Sequence, residues 1–252
     1  MARPFDNYPS KSRKNSANPD PTSEIIAVMI HLTNPLARLS RSEKRGNAIS
    51  ALAELLWYFT GDNRTDFISH YIHPYRKFDE NGAIYGGYGP RIFKHQGKYN
   101  QLSNVIRLLS ENPDTRKAVI QIFDGRDIVD KHEDIPCTCT IQFLLRSGKL
   151  NMVVYMRSND AYIGLPHDIF AFTMLQEMVS RALGVEIGGY FHSVGSLHLY
   201  KKNQKDVKEY LNEGHQSSLS PMPSMPSGNT LVEIKKLLDF ESKVRSNRFQ
   251  LI

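Results

Sequence analysis

The chain has 252 residues, 40% of them hydrophobic with 12 Phe and 12 Tyr, enough for one folded domain with a substantial core. No run of 18 apolar residues occurs and Met1 to Asp6 has no apolar stretch, so neither a membrane span nor a signal peptide is expected. The net charge of +6 suits nucleic acid or small phosphates, but Lys11, Arg13, Lys14, Lys201 and Lys202 form no zinc-finger, RNP or basic-helix pattern, so nucleic acid is not the expected partner.

Residues 1–22, rich in Pro, Ser, Asn and Lys, read as a flexible arm, and 23–252 as a single catalytic domain. Ala48 to Gly61 carries apolar residues at helical spacing and stops at glycine. Asn81-Gly82 and Gly86-Gly87 signal turns. Tyr99 to Glu111 predicts an amphipathic helix and Lys117 to Phe123 a buried strand. Thr138 to Leu145 and Leu150 to Met156 read as strands joined at Ser147-Gly148. Ile169 to Leu183 predicts a long helix ended by Gly184, and Gly189 to Leu199 another strand. Gln216 to Asn229 is a Pro/Ser loop, followed by a short helix over Val232 to Asp239. Without regular βαβ alternation, the pattern implies an α+β fold around a large mixed sheet packed with helices.

The two cysteines, Cys137 and Cys139, would share one face of a strand. They are too close for a useful disulfide and lack the further ligands a zinc site needs, so no metal is expected and the chain reads as cytoplasmic. Cys137 alone fits either a packed core thiol or a nucleophile. Glu54 lies on an otherwise apolar helix face, where a carboxylate needs either an ion pair or a proton-handling role. Arg116-Lys117 is either a surface pair or a phosphate grip. His198 and Tyr200 alternate along a strand and face the same way. Asp168 precedes a helical pattern and suits an N-cap as well as a site.

Taken in order, several fragments resemble the thymidylate synthase superfamily over roughly residues 43 to 203. They are Glu54-Leu55-Leu56-Trp57 with Gly61-Asp62, then Tyr88-Gly89, then Asp114-Thr115-Arg116-Lys117. Pro136-Cys137 follows with Gln142-Phe143, then Arg157-Ser158-Asn159-Asp160, Gly164-Leu165-Pro166, and His198-Leu199-Tyr200. The resemblance implies a folate-dependent transferase, dimeric through one sheet face, that uses 5,10-methylenetetrahydrofolate on a pyrimidine nucleoside monophosphate. It makes Cys137 the nucleophile at C6 of the base, because a thiolate is both a strong nucleophile and a leaving group. Glu54 and Tyr88 become proton-handling groups. Arg157, Ser158, Gln142, His198 and Tyr200 become substrate contacts. Arg116 and Lys117 reach the partner subunit's phosphate site. The family usually has Arg-Arg there, and Lys117 keeps the charge but loses the bidentate fork. A further N-terminal phosphate arginine falls within the Arg38, Arg41, Arg45 cluster. Asp160, Ile163, Gly164 and His167 become folate contacts, and Cys139 packing.

Where the synthases carry an Asn that reads uracil, this chain has Asp168. Cytosine offers an N4 donor and an N3 acceptor, and an Asp accepts from the first and shares a proton with the second. An ionised Asp would repel uracil O4. Asn159, Thr138, Ser196 and His167 also depart from the synthases and resemble the deoxycytidylate 5-hydroxymethylase branch. There water captures the methylene that the synthases reduce to methyl. The expected reaction is therefore 5-hydroxymethylation of dCMP. The alternatives are C5-methylation of dCMP or dUMP, CMP as substrate, and a catalytically inactive nucleotide-binding relative.

Overall fold

The structure is a computed structural model that describes residues 21–39, 42, 48–214, 221–228 and 230–246. Its centre is a five-stranded mixed sheet in the order β1-β5-β4-β3-β2. The strands are β1 (Thr22–Leu32), β2 (Val119–Gln121), β3 (Thr138–Arg146), β4 (Lys149–Asp160) and β5 (Glu186–Tyr200). Only the β4–β5 pair is parallel. A parallel pair needs a crossover, supplied here by the helix Gly164–Leu183. Numbered in chain order, the helices are α1 (Ala48–Phe59), α2 (Thr65–Tyr71), α3 (Tyr88–Phe93), α4 (Gln101–Glu111), α5 (Gly164–Leu183), α6 (Gln204–Asn212) and α7 (Thr230–Arg245). Short 3-10 turns lie at His73–Phe78, Gly125–Ile128 and Lys201–Asn203.

Local chemistry explains the main boundaries. Ser147 and Gly148 both have positive φ, 50° and 75°, which gives the two-residue hairpin turn between β3 and β4 that twisted strands favour. Gly184 at φ 67° closes α5 in the left-handed conformation. Asn100 caps α4 by accepting from Ser103 N at 2.9 Å. Period-two alternation sends Leu150, Met152, Val154 and Met156 of β4 and Tyr190, His192 and Val194 of β5 into the core. Phe143, Phe172 and Ile120 join them under α1, α4 and α5. The opposite sheet face carries Met29 and Tyr155 in register through Ser193, 59% and 44% exposed.

Four sequence expectations are corrected. The long helix starts at Gly164, so Asp168 lies inside α5 and does not cap it; Ile163 is the N-cap residue, without a side-chain bond. The pairing of β3 with β4 shifts register between Thr138 and Thr140, so Cys139 sits in a bulge and Cys137 precedes β3, and the two do not lie on one regular strand. The expected strand Lys117 to Phe123 shrinks to Val119–Gln121, and the last helix lengthens to Arg245. The proposed arm of 1–22 lies outside the described residues except for its final two, and Thr22 already belongs to β1.

Candidate active site

The site is assembled from elements far apart in the chain. α1 supplies Glu54, buried on the face turned towards α5. Two tyrosines hold it: Tyr58 Oη donates to Glu54 Oε1 at 3.0 Å and Tyr75 Oη donates to the same oxygen at 2.7 Å. Tyr58 is one helical turn beyond Glu54, the spacing at which side chains meet. Tyr75 arrives from the 3-10 turn His73–Phe78, with its ring edge-on to Trp57 at 5.6 Å. Two donors on one oxygen leave Glu54 Oε2 as the edge open to a ligand or water.

Tyr88 opens α3, and its hydroxyl meets the first residue of β3, Thr138, at 3.2 Å from N and 2.9 Å from Oγ1. Its ring lies 4.9 Å from that of Tyr58. Glycines make this approach possible. A Cβ on Gly89 would fall 2.3 Å from Asp62 O, and one on Gly86 2.2 Å from Asp134 Oδ2. The Gly86–Asp134 contact presses the segment before Cys137 against the turn before Tyr88.

Cys137 stands at the mouth of β3. Arg157 of β4 locks its approach by donating from Nε to Pro136 O at 2.9 Å and from Nη2 to Ile135 O at 3.0 Å. The same Nη2 is 3.8 Å from Cys137 Sγ. Burial pushes the Cys137 thiol up to about 11, against the opposing pull of Arg157. Burial likewise raises the Asp134 carboxyl to about 6, again opposed by Arg157.

Asp168 is 8% exposed on α5. Burial, and then the neighbouring Glu54, push its carboxyl well above the usual carboxylate range, while Asn159 Nδ2, donating to Asp168 Oδ2 at 2.6 Å, pulls the other way. Burial, Asp168 and Cys137 raise the Tyr88 phenol in turn. Glu54, Tyr88, Cys137 and Asp168 thus form one electrostatically coupled cluster with Arg157 at its edge.

Other expected residues flank it. Ser158 Oγ lies 3.4 Å from His198 Nδ1, and His198 and Tyr200 meet edge to face at 5.1 Å on one side of β5. His167 is held between Ile163 O at 3.0 Å and Ser50 Oγ at 2.9 Å. Asp160 Oδ1 accepts from Tyr162 N at 2.7 Å and Ile163 N at 3.0 Å, which leaves Oδ2 for a ligand. Ile163 presents an exposed apolar side chain next to it.

Two expected residues lie elsewhere. Arg38 is buried and paired with Glu177 at 2.5 Å. Glu177 is nine residues beyond Asp168 on α5, about 13 Å along a helix axis. Burial lowers the Arg38 pKa and Glu177 restores part of it. Arg41 and Arg45 lie outside the described residues. Gln142 sits mid-β3 and donates to Arg116 O at 2.9 Å, so it ties down the Arg116–Lys117 segment and not the cysteine cluster. The side chains of Arg116 and Lys117 are exposed.

The thymidylate synthase family model matches residues 31–242, a span that holds every element of this cluster. The chain belongs to the thymidylate synthase family. A curated relative, the deoxyuridylate hydroxymethyltransferase of Delftia phage PhiW-14, is 29% identical over 228 residues, covering 84% of this chain. The chain spans only 62% of that relative's length. Among solved structures, thermostable thymidylate synthase A from Bacillus subtilis superposes with a TM-score of 0.66 at 24% identity, covering 79% of this chain and 74% of that one. That likeness is one of fold. Within the family frame, sequence reasoning overlooked Tyr58, Tyr75 and Asp134. Tyr58 was findable from its helical spacing to Glu54. Tyr75 carried no signal, since it is 21 residues from Glu54 across two turns.

Proposed function

We propose that this thymidylate synthase family member transfers a one-carbon unit from 5,10-methylenetetrahydrofolate to C5 of a cytidine monophosphate, dCMP foremost, and releases the 5-hydroxymethyl nucleotide. The observation that carries the reading is Asp168: a buried carboxyl, coupled to Glu54, at the position where the synthases read uracil with an amide. The folate supplies a one-carbon electrophile when bound. This chain's residues do the rest.

Cys137 adds to C6 of the base. Its thiol is neutral in the free protein, so its proton must leave as the bond forms, and Arg157 at 3.8 Å stabilises the developing thiolate. Asp168, whose carboxyl burial shifts upward, shares a proton with N3 and accepts from N4–H, drawing electrons from C6 as sulfur attacks. C5 then carries the nucleophilic electron pair, which would bond to the one-carbon unit, with tetrahydrofolate as the leaving group when the C5 proton is lost. Tyr88 takes part in removing the C5 proton, and Glu54, clamped by Tyr58 and Tyr75, relays protons through water. Water addition to the exocyclic methylene gives the hydroxymethyl group, and expulsion of Cys137 restores the ring. The polar His167, tied to Ser50 and Ile163 O, favours a hydrated rim on the folate side.

The phosphate is held by Arg157 and Ser158, and by Arg116 and Lys117 of a second subunit. Two features support a homodimer: the open sheet face, with Ile26 74% exposed beside Met29 and Tyr155, and an exposed Arg116–Lys117 segment tied to that sheet by Gln142. The sugar rests on His198 and Tyr200. Two free thiols suit a cytoplasmic setting.

One observation favours uracil as a second reading. The phage relative is named for deoxyuridylate, and a carboxyl shifted upward by burial repels O4 less than a fully ionised one. Base exchange at Asp168 tests the choice. Asp168→Asn should shift kcat/KM from dCMP towards dUMP by at least about 10²-fold. An unchanged preference would remove Asp168 as base reader.

A further inference from the structure

We infer that Asn159 decides which pyrimidine edge the Asp168 carboxyl accepts, as a positioning residue that fixes where the carboxyl proton sits. This rests on reading Asp168 as the base reader. A neutral carboxyl has one O–H donor and one carbonyl acceptor. Cytosine presents an acceptor at N3 and a donor at N4. Uracil presents the reverse, a donor at N3 and an acceptor at O4. A free carboxyl satisfies either base by moving its proton from one oxygen to the other, so Asp168 alone does not discriminate strongly.

Asn159 removes that freedom. Its Nδ2 donates to Asp168 Oδ2 at 2.6 Å, within a pair 4% and 8% exposed. An oxygen already accepting an N–H is the poorer site for the proton, which therefore settles on Oδ1. The donor and acceptor ends of Asp168 are then assigned before substrate binds. With the ends fixed, one base makes two hydrogen bonds, while the other meets donor with donor and acceptor with acceptor.

Two further observations separate this from packing. Asn159 Oδ1 is buried with no partner among the described residues. An amide kept despite an unpaired carbonyl is costly, and an apolar side chain would fill the space more cheaply. Gly164 also lies over the pair, and a Cβ there would stand 3.4 Å from Asn159 Nδ2 and 3.7 Å from Asp168 Oδ2. The start of α5 is thus moulded closely to the amide–carboxyl contact.

The test is calorimetric titration of dCMP and dUMP into the full chain, wild type, Asn159→Leu and Asn159→Ser. Leu matches the volume without a donor; Ser keeps a hydroxyl donor. Fluorescence of Trp57, the single tryptophan, confirms that each variant is folded. The wild-type dissociation constants should differ by about 10²-fold, converge to within about 3-fold in Asn159→Leu, and separate partly again in Asn159→Ser. A structural role would weaken both nucleotides equally, and an unchanged ratio in folded Asn159→Leu overturns the inference. A wild-type preference for uracil that collapses in Asn159→Leu supports it while overturning the cytosine reading. Binding of neither nucleotide by the folded wild type overturns both.

Discussion

The two ends of the candidate pocket are built in opposite ways. At the base end, Glu54 and Asp168 are buried and Tyr88 is half-buried, and each is held by a neighbour from its own chain: Tyr58 and Tyr75 for Glu54, Asn159 for Asp168, and Thr138 for Tyr88. At the phosphate end, Arg157 spends two donors on the carbonyls before Cys137, and the next candidates, Arg116 and Lys117, are exposed on the segment before β2. On the proposed function, the difference follows from what each end would recognise. A base is read by direction, which demands groups fixed before binding. A phosphate is read by charge, which tolerates long side chains delivered from a second subunit. The base end can therefore be complete in one chain, and the phosphate end need not be.

The largest effect expected from this contrast is at Glu54. Glu54→Gln keeps an oxygen for both tyrosine donors but cannot carry a proton. Tritium release from C5-labelled dCMP should fall about 10²- to 10³-fold while dCMP affinity changes less than about 3-fold. A parallel loss of affinity would make Glu54 a structural group.

At the other end the effect should be smaller and should move between subunits. Arg116→Ala with Lys117→Ala should raise KM for the nucleotide about 10-fold and leave kcat nearly unchanged. Mixing these subunits with Cys137→Ala subunits should restore wild-type KM to a share of the sites, because a mixed dimer has one site with an intact cysteine and intact partner cations. No restoration on mixing would mean that Arg116 and Lys117 act within their own chain.

The smallest effect separates the two ends through stability. Asp134, pressed on Gly86 and facing Arg157, titrates at about 6 in the fold against an ordinary value near 3.8. A raised carboxyl stabilises the fold fully below its unfolded pKa, and that contribution is lost as pH rises through about 6. Asp134→Asn removes the titration. Relative to the variant, the wild type should lose up to about 3 kcal/mol between pH 4 and pH 7 in urea melts. A pH-independent difference would show that Asp134 is already ionised.

Much of this was legible in the sequence because it was local or ordered along the chain. Ser147-Gly148 needed only turn chemistry, and α5 only its periodicity and Gly184. The cluster of Glu54, Tyr88, Cys137, Arg157 and Asp168 followed from the order of the family-like fragments. What the sequence hid was set by tertiary placement. Ala27 at φ 58° interrupts β1, so an edge strand went unassigned. The Tyr75–Glu54 bond joins residues from separate turns of the chain. Arg38 belonged to the N-terminal arginine cluster in which the family resemblance implied a phosphate ligand, yet it pairs with Glu177 inside the fold. Asp168 looked like a cap because the preceding residues Gly164-Leu165-Pro166 conceal the first turn of α5.

The central claim is tested most directly by the mass of the product. Wild-type protein is incubated with 5,10-methylenetetrahydrofolate and, separately, dCMP, dUMP and CMP, with Cys137→Ala as control. The account predicts a 5-hydroxymethylated nucleotide, roughly 30 mass units heavier than the substrate, formed fastest from dCMP, accompanied by tetrahydrofolate and absent in the control. A methylated product with dihydrofolate, or the same product from the Cys137→Ala protein, would contradict it.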